Sequence, residues 1–447
     1  MKTSKIPLLV TPIPGPKAKA VVTRSQQSLT PSLPHVYSLV AQRASDTLIE
    51  DVDGNCFLDC AAGIAVCSTG HCHPRVVRAV QEQAARLMHI CGADFYDMMY
   101  LQLAERLARL APGESSKRVF LGNSGAEAVE AGLKLSRHHT NRSHVLAFYG
   151  AFHGRTMGAV SLTASKTVYH EGFGPFVGAI SHVPYAYCYR CTYNLSYPQC
   201  DFACVSFIEN MLFAHTLPPE EVAAIIVEPI QGEGGYIVPP VGWLPRLQAL
   251  CNRYGILLVA DEVQSGMGRT GKMFAVEHWN VTPDILCLAK AIASGMPLSA
   301  TIASDGVMSW PPGAHGSTFG GNPVSCAAAL ATLDVIEEEG LIQNAKLVGN
   351  YLLQCLRKIA EESRLIGDVR GLGLMIGVEL VKDKITKTPA RDEMNAVVNA
   401  CFKRGLIILP CGPNSIRFSP PLTLSMAEAD IALGIFSEAI AEVERSR

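Results

Sequence analysis

The order of apolar and polar positions divides the chain into stretches of different periodicity. Between residues 46 and 66, short apolar runs surround the pair Asp53-Gly54, which is a strong signal for a hairpin between two half-buried strands. From about residue 75 to 335, continuous apolar runs of strand length alternate with segments of helix length. Such alternation indicates a mostly parallel sheet that is covered by helices on both faces. The pattern therefore predicts an α/β fold with a three-layer large domain.

The two ends of the chain have different patterns. Residues 1 to about 35 are rich in Pro, Lys, Ser and Gln with little periodicity, so this arm is expected to be flexible or laid across a partner. After Pro323 a long helix is predicted, and the later apolar runs "RGLGLMIGVELV", "GLIILP" and "SIRFSPPL" between helices indicate a smaller α+β unit. The predicted divisions are an N-terminal arm and small-domain segment, 1–74, a large domain, 75–335, and a C-terminal small domain, 336–447.

Composition narrows the class of ligand and the compartment. Lys and Arg total 38 against 40 Asp and Glu, so there is no electrostatic reason to expect a nucleic acid or an anionic membrane as partner. Apolar runs such as residues 223–227 are of strand length, far short of the roughly 20 residues needed to span a bilayer. Most of the 15 cysteines stand singly inside apolar runs, as buried free thiols do. We expect a cytoplasmic protein with a small ligand.

A candidate phosphate site lies where a predicted strand turns into a helix, in "VFLGNSGAEAVEAGLKL". The turn directs the free N–H groups of Gly125 and Ala126, and the helix dipole, at any anion bound there, and Ser124 adds a hydroxyl. The alternative is that Ser124 only caps the helix, with Glu127 as the matching residue of a capping box. These residues alone do not decide between the two interpretations.

Two charged residues close buried strands. Asp261 ends "GILLVAD" and Lys290 ends "DILCLAK", one β-α-β step further along. A buried carboxylate needs a partner such as a cationic ring nitrogen, and a desolvated lysine becomes a nucleophile that can form a Schiff base. Either residue alone is more readily explained by a salt bridge at the rim of the sheet. Together with the phosphate turn they predict a site for pyridoxal 5′-phosphate (PLP).

Six segments in order resemble the signatures of class III aminotransferases. This family includes 4-aminobutyrate, ornithine and acetylornithine aminotransferases, and the resemblance extends from about residue 45 to the end. It implies fold type I, PLP as cofactor and a homodimer or tetramer. The segments are "NSGAEAVEAGLKL", "AFHGRT", "VEPIQGEGG", "ADEVQSGMGRTGK", "LAKAIASGMPLSA" and "GSTFGGNP".

The resemblance implies a role for each cofactor residue. Lys290 would form the Schiff base and carry the proton, and Asp261 would keep the ring nitrogen protonated. Phe152 and Val263 would sandwich the ring, although a core position is the main alternative for Phe152. Gln264 would reach the ring hydroxyl.

The cofactor phosphate would be held by two subunits. Gly125 and Ala126 would bind it from one subunit, and Thr318 of "GSTFGGNP" would reach the phosphate of the other. That role implies an obligate dimer, whereas the segment by itself would be taken for a glycine-rich turn.

Substrate recognition is expected to depend on arginines, because a guanidinium binds a carboxylate with two parallel hydrogen bonds. Arg417, alternating with apolar neighbours in "NSIRFSPP", resembles the family's carboxylate arginine. Glu233 resembles the gate that pairs with this arginine when a substrate lacks an α-carboxylate, and Glu228 lies close to it in sequence. Arg155 and Ile64 resemble the pair at the far end of the pocket in 4-aminobutyrate enzymes.

Four cysteines have a spacing that imitates a metal site. Cys188, Cys191, Cys200 and Cys204 form C-x2-C-x8-C-x3-C, which would suit zinc or an iron-sulfur ligand set. The C-x3-C half is irregular, and Cys204 stands in an apolar run typical of a helix. Buried or paired thiols are the favoured interpretation, and no metal is predicted.

The predicted function is that of an ω-aminotransferase, with a 4-aminobutyrate- or ornithine-type donor and 2-oxoglutarate as acceptor. The alternative is an amino-acid racemase or epimerase on the same scaffold, since both reactions would use Lys290 and Asp261. Ser294 stands where many transaminases of the family have glycine, which keeps the alternative open.

Overall fold

The strands of the protein account for most of the predicted apolar runs. In a computed structural model, residues 6–446 are described. The strands are β1 (Ala41–Ser45), β2 (Leu48–Asp51), β3 (Cys56–Asp59), β4 (Lys117–Gly122), β5 (His144–Phe148), β6 (Ile180–Val183), β7 (Val222–Val227), β8 (Leu257–Asp261), β9 (Ile285–Leu288), β10 (Ser299–Ser304), β11 (Ile366–Leu372), β12 (Met375–Leu380), β13 (Leu406–Ile407), β14 (Leu409–Cys411) and β15 (Ser415–Phe418).

The helices fall between these strands. They are α1 (Pro16–Ser28), α2 (Ala62–Ala65), α3 (Pro74–Arg86), α4 (Met98–Leu110), α5 (Gly125–Thr140), α6 (Met157–Leu162), α7 (Ala203–Phe207), α8 (Trp243–Tyr254), α9 (Pro323–Glu338), α10 (Leu341–Glu362), α11 (Arg391–Lys403) and α12 (Met426–Arg445). No helix in the described part of the chain is both long and apolar enough to cross a membrane.

The central sheet has the order β4-β10-β9-β8-β7-β5-β6. All neighbours from β9 to β6 are parallel, whereas β10 runs antiparallel to both β4 and β9. Successive side chains point to opposite faces, so Val259 packs with α5 while Leu258 and Ala260 join the main core on the other side. Burial on both faces explains the continuous apolar runs, and the predicted three-layer α/β fold is confirmed.

Two smaller sheets complete the fold. An antiparallel sheet with the order β11-β12-β15-β14 packs against α10 and α11. In the other sheet β2 and β3 form the hairpin predicted at Asp53-Gly54, and β3 pairs in parallel with β13 from the C-terminal part. The boundary placed at residue 335 falls inside α9. The division into domains remains a prediction.

The N-terminal arm contains a helix that its composition did not predict. Residues 1–5 of the arm lie outside the described part of the chain. Beyond them, the backbone N–H groups of Lys17 and Ala18, in the first turn of α1, donate to the carboxylate of Asp53 at 2.9 and 2.8 Å. A carboxylate stabilises the positive end of a helix dipole. The arm is therefore tied to the β2–β3 turn of its own chain.

Candidate active site

A cavity of about 330 Å³ lies at the edge of the central sheet where β4, β7, β8 and β9 end. Open α/β sheets bind ligands at this edge, because the loops after parallel strands converge there. The fold brings most of the predicted cofactor residues together around this one cavity. Predicted residues that line it are Ser124, Gly125, Ala126, Phe152, Glu228, Asp261, Val263, Gln264 and Lys290.

At one end of the cavity α5 begins with a capping box. The Ser124 hydroxyl accepts from the backbone N–H of Glu127 at 3.3 Å, and the Glu127 carboxylate accepts from the N–H of Ser124 at 3.1 Å. The first-turn N–H groups of Gly125 and Ala126 cannot bond within the helix. Capping and anion binding are therefore compatible, because the cap holds the turn and leaves these two donors for a ligand.

Close packing explains the glycine at the start of α5. A Cβ atom on residue 125 would lie 2.7 Å from Cγ1 of Val263, closer than real side chains approach. Glycine lets the phosphate turn and the loop after β8 lie side by side. Gly125 and Val263 can then form one wall of the cavity.

Asp261 is held by two hydrogen bonds at the end of β8. Its Oδ2 lies 2.7 Å from Nδ1 of His153, and its Oδ1 accepts from the N–H of Val263 at 3.0 Å. Both side chains are buried. Burial lowers the pKa of His153, but the hydrogen bond and the negative charge of Asp261 outweigh it, and the net shift is upward. His153 thus fixes the orientation of the Asp261 carboxylate inside the protein.

Lys290 follows β9 and has an unusual backbone conformation. Its φ is 45°, in the left-handed region that residues with a side chain rarely occupy. Such conformations cluster at functional sites, where the surrounding structure compensates for the strain. Burial lowers the pKa of Lys290 to about 8, with Asp261 opposing the shift and Arg417 reinforcing it. Burial thus favours the neutral amine, which is the form that acts as a nucleophile.

Glu228 joins two loops rather than offering a free carboxylate to the cavity. One oxygen accepts from the N–H of Phe152 at 2.9 Å and the other from the N–H of Gly232 at 2.8 Å. Burial raises the pKa of Glu228. These bonds fix the loop that carries Phe152 relative to the loop that carries Glu233.

Gln264 is oriented by a neighbour that the sequence did not indicate. The Tyr236 hydroxyl donates to Oε1 of Gln264 at 2.8 Å, which leaves the amide nitrogen of Gln264 as a donor. Tyr236 is fully buried. The pair holds a donor beside the cavity.

Arg417 and Glu233, which the family resemblance implies as partners, form an ion pair. Arg417 alternates on β15 with the buried side chains of Ile416 and Phe418, and its Nη1 lies 3.3 Å from Oε2 of Glu233. Glu233 also contacts Lys166, whose Nζ lies 2.5 Å from Oε1. Lys166 was not among the predicted site residues.

Arg155 lies in a second cavity, of about 550 Å³, outside the first. Its guanidinium carbon is 4.7 Å from the ring centre of Tyr169 and 6.0 Å from that of Phe152. Ile64, predicted beside it, is 41 % exposed and lines neither cavity. Within the described residues, therefore, Ile64 does not share a cavity with Arg155.

Thr318 and Ser294 lie outside the inner cavity. Thr318 is exposed and does not line the cavity of its own subunit. Ser294 has a left-handed backbone, with φ of 46°, and its hydroxyl lies 2.7 Å from the hydroxyl of Thr69. Glycine would adopt this conformation without strain, so Ser294 is a loop contact, and the departure from the family pattern adds no group to the cavity.

The four cysteines line one small cavity, and every described cysteine is a free thiol; Cys188 is exposed and the other three are partly buried. Cys204 belongs to α7, as its apolar surroundings predict. Among residues 6–446, no group of three or more His, Cys, Asp or Glu is arranged to hold a metal ion.

The residues that sequence reasoning missed are His153, Lys166, Tyr169 and Tyr236. His153 stands inside the quoted segment "AFHG", so its place beside the predicted Phe152 was the available signal. Lys166 and Tyr169 lie in an irregular stretch with no periodicity. Nothing local indicates that they face Glu233.

Comparison with known proteins identifies the family. The sequence profile described as aminotransferase class-III matches residues 31–440. The chain belongs to the class III aminotransferases. These enzymes depend on PLP, so the predicted family and cofactor are confirmed.

Related class III proteins differ in the reaction for which they are named. An alanine/serine racemase of Pyrococcus horikoshii is 41 % identical over 97 % of this chain and 92 % of its own length. A 4-aminobutyrate aminotransferase of Mycobacterium leprae is 42 % identical over 93 % of this chain and 94 % of its own. The structure of an (S)-enantioselective ω-transaminase from Thermomicrobium roseum covers 95 % of this chain and 98 % of its own, with a TM-score of 0.88 and 34 % identity.

The cavity of this class III protein fits PLP. One end has two unbonded helix N–H donors, which suit a phosphate. The buried carboxylate of Asp261 suits a protonated ring nitrogen, and the amine of Lys290 suits the aldehyde. Phosphate, ring and aldehyde thus each have a matching group in one cavity.

Proposed function

We propose that the protein is an ω-aminotransferase that moves an amino group from a 4-aminobutyrate- or ornithine-type donor to a 2-oxoglutarate-type acceptor. The main support is the pair Arg417 and Glu233 beside the Lys290 cavity, with Arg155 in the outer cavity. This arrangement has two cationic anchors in different places, because Arg417 is close enough to Lys290 to lower its pKa, whereas Arg155 lines the outer cavity. Arg417 is paired with Glu233, a carboxylate whose side chain could move away.

The reaction assigns separate tasks to the residues of the chain. When bound, PLP supplies an electron-withdrawing ring that stabilises a carbanion at the substrate carbon. Lys290 Nζ would take the proton from that substrate carbon and deliver it to the cofactor carbon that bears the aldehyde, a task that its pKa of about 8 favours. Asp261, oriented by His153, holds a proton on the ring nitrogen. Gly125 and Ala126 hold the phosphate through their N–H groups.

The two anchors would recognise two patterns of charge. A donor such as 4-aminobutyrate keeps its reacting amine several bonds from its carboxylate, so Arg155 would bind that carboxylate while Glu233 neutralises Arg417. A keto acid brings a carboxylate next to the reacting carbon, and Arg417 would bind it once Glu233 withdraws. Neither state leaves the buried arginine unpaired, which would cost several kcal/mol.

The requirement for a keto acid tests the proposal. The PLP-loaded enzyme should form glutamate from 2-oxoglutarate and 4-aminobutyrate, 5-aminovalerate or ornithine, and should not turn over an L-amino acid alone. Chiral chromatography measures both the glutamate formed by amino transfer and any D-amino acid formed by racemisation. Racemisation is the second candidate, because a racemase is among the relatives with 41 % identity. Interconversion of L- and D-amino acids without any keto acid, together with no glutamate formation, would establish racemisation instead.

Arg155→Ala is expected to raise KM for 4-aminobutyrate by about 10- to 100-fold, the range of a lost charge-assisted hydrogen bond. KM for 2-oxoglutarate should rise much less, because that substrate keeps Arg417. Arg391 lines the same outer cavity and is exposed, so Arg391→Ala is the matched comparison. Equal effects of the two variants on the donor would assign the effect to the general charge of the cavity and not to Arg155.

We also propose that the enzyme is a homodimer, or a tetramer of such dimers, in which Thr318 binds the phosphate in the partner subunit. Large apolar side chains are exposed near α4 and near Thr318. Exposed apolar patches of this kind are typical of protein–protein interfaces. The His89 and Phe319 rings, 4.9 Å apart, connect these two regions. The exposed side chains are Met88, Phe95, Tyr96, Met98, Leu101 and Phe319.

Activity should therefore follow the fraction of dimer on dilution. Sedimentation measurements and assays at the same concentrations check this, and Thr318→Ala should weaken PLP retention in the dimer. A monomeric fraction with full activity would contradict the proposal.

A cytoplasmic location is also proposed, since every described cysteine is a free thiol.

A further inference from the structure

Glu233 lies between two cations and uses a different oxygen for each. Oε1 is 2.5 Å from Nζ of Lys166, whereas Oε2 is 3.3 Å from Nη1 of Arg417. The Tyr169 hydroxyl donates to the same Oε1 at 3.5 Å. The side chain of Glu233 is only 16 % exposed and that of Arg417 7 %. The shorter contact is therefore made to Lys166, not to the arginine with which Glu233 was predicted to pair.

We propose that Lys166 is the positioning residue that retains Glu233 when Arg417 binds the α-carboxylate of a substrate. This inference rests on the proposed function, in which the same site accepts two patterns of carboxylates. Lys166 thereby determines how readily the site changes from the ω-donor to the keto acid.

The balance of charges supports this role. Lys166, Arg417 and Glu233 together carry one excess positive charge, which one substrate carboxylate neutralises. If Glu233 lost Arg417 and had no other partner, a mostly buried carboxylate would be left unpaired, which is costly. The contact with Lys166 avoids that cost, because Glu233 is paired both before and after Arg417 is taken by substrate.

The backbone of Glu233 is fixed, so the exchange requires only a side-chain movement. The carbonyl of Glu233 accepts from the N–H of Gly412 at 2.6 Å. The same loop is also held by Glu228, which accepts from the N–H of Gly232. Lys166 lines the outer cavity and its side chain is 38 % exposed, so its ammonium can follow a movement of the carboxylate.

Lys166→Met tests the inference, because methionine keeps much of the length and removes the charge. Without Lys166, the state with Glu233 on Arg417 is favoured, since it is the remaining way to pair the carboxylate. The Kd for 2-oxoglutarate should rise about tenfold, a typical coupling between residues in one ion-pair network.

The Kd is measured by calorimetry on the PLP-loaded enzyme, which binds a keto acid without turnover. This readout is independent of catalysis, so it remains informative if the enzyme proves not to be an ω-aminotransferase. Failure of the proposed function would appear separately, as the absence of glutamate formation by the wild type. Lys358→Met, on the exposed side of α10, is the matched control and should leave Kd unchanged.

A double variant separates the proposed role from simple loss of structure. In Glu233→Gln the competition for Arg417 is already removed, so adding Lys166→Met should raise Kd less than about twofold further. Lys166→Arg should retain a Kd near that of the wild type. An unchanged Kd in Lys166→Met would overturn the proposal. The same conclusion would follow if Lys166→Met raised Kd equally with and without Glu233→Gln.

Discussion

Lys290→Ala is expected to lower kcat by at least about 10⁴-fold, the upper range of what a positioned general base contributes. Lys290 is the only lysine among the described residues that line the inner cavity, so no other amine can replace it. PLP should still bind through the phosphate turn, but without a covalent linkage. Absorbance of the dialysed protein and mass spectrometry after borohydride treatment measure that linkage.

The outcome for Lys290 has a clear control. Lys272→Ala removes an exposed lysine and should keep both the linkage and the activity. In the wild type, borohydride should fix the cofactor to the peptide that contains residue 290. A reduced adduct on another lysine in Lys290→Ala, with turnover retained, would show that the assignment is wrong.

Asp261→Asn is expected to lower kcat by about 10³-fold while PLP affinity changes by only several-fold. Asparagine keeps the size and one acceptor oxygen, but it removes the charge that holds a proton on the ring nitrogen. A loss of about 4 kcal/mol in transition-state stabilisation corresponds to that factor. Steady-state kinetics and a PLP titration measure the two effects separately.

The adjacent residue offers a matched control for Asp261. Glu262 is also buried, but its carboxylate accepts from the N–H groups of Ala275 and Val276, away from the cavity. Burial raises the pKa of Glu262 to about 7. Glu262→Gln makes the same chemical change and should affect thermal stability more than kcat. Near-normal turnover in Asp261→Asn, or an equal loss in Glu262→Gln, would argue against the role of Asp261.

Local pattern was enough to predict the sheet and the residues at its edge. A strand that is covered on both faces must be apolar throughout, so a charged residue such as Asp261 or Lys290 marks the point where the strand ends. Parallel strands bring such ends to one edge. The position of the cavity therefore followed from order and periodicity, and the six segments then identified the family.

Contacts between distant parts of the chain could not be predicted in this way. The hydrogen bond from His153 to Asp261 and the ion pair of Lys166 with Glu233 each join loops far apart in sequence. The first turn of α1 is bonded to Asp53, a contact that the sequence of the helix itself does not indicate. Ile64 was assigned beside Arg155 by resemblance, and the described chain does not bring it to either cavity.

The difference between the two groups of residues has a physical cause. Periodicity and strand ends depend on near neighbours, whose geometry the backbone dictates over a few residues. Which carboxylate meets which cation depends on how loops close over the sheet, and loop-closure free energy varies only slowly with loop length, so many pairings are nearly equal in cost. The position of Lys290 at the end of a strand was therefore evident from the sequence, whereas the place of Lys166 beside Glu233 arises from the packing of the folded chain.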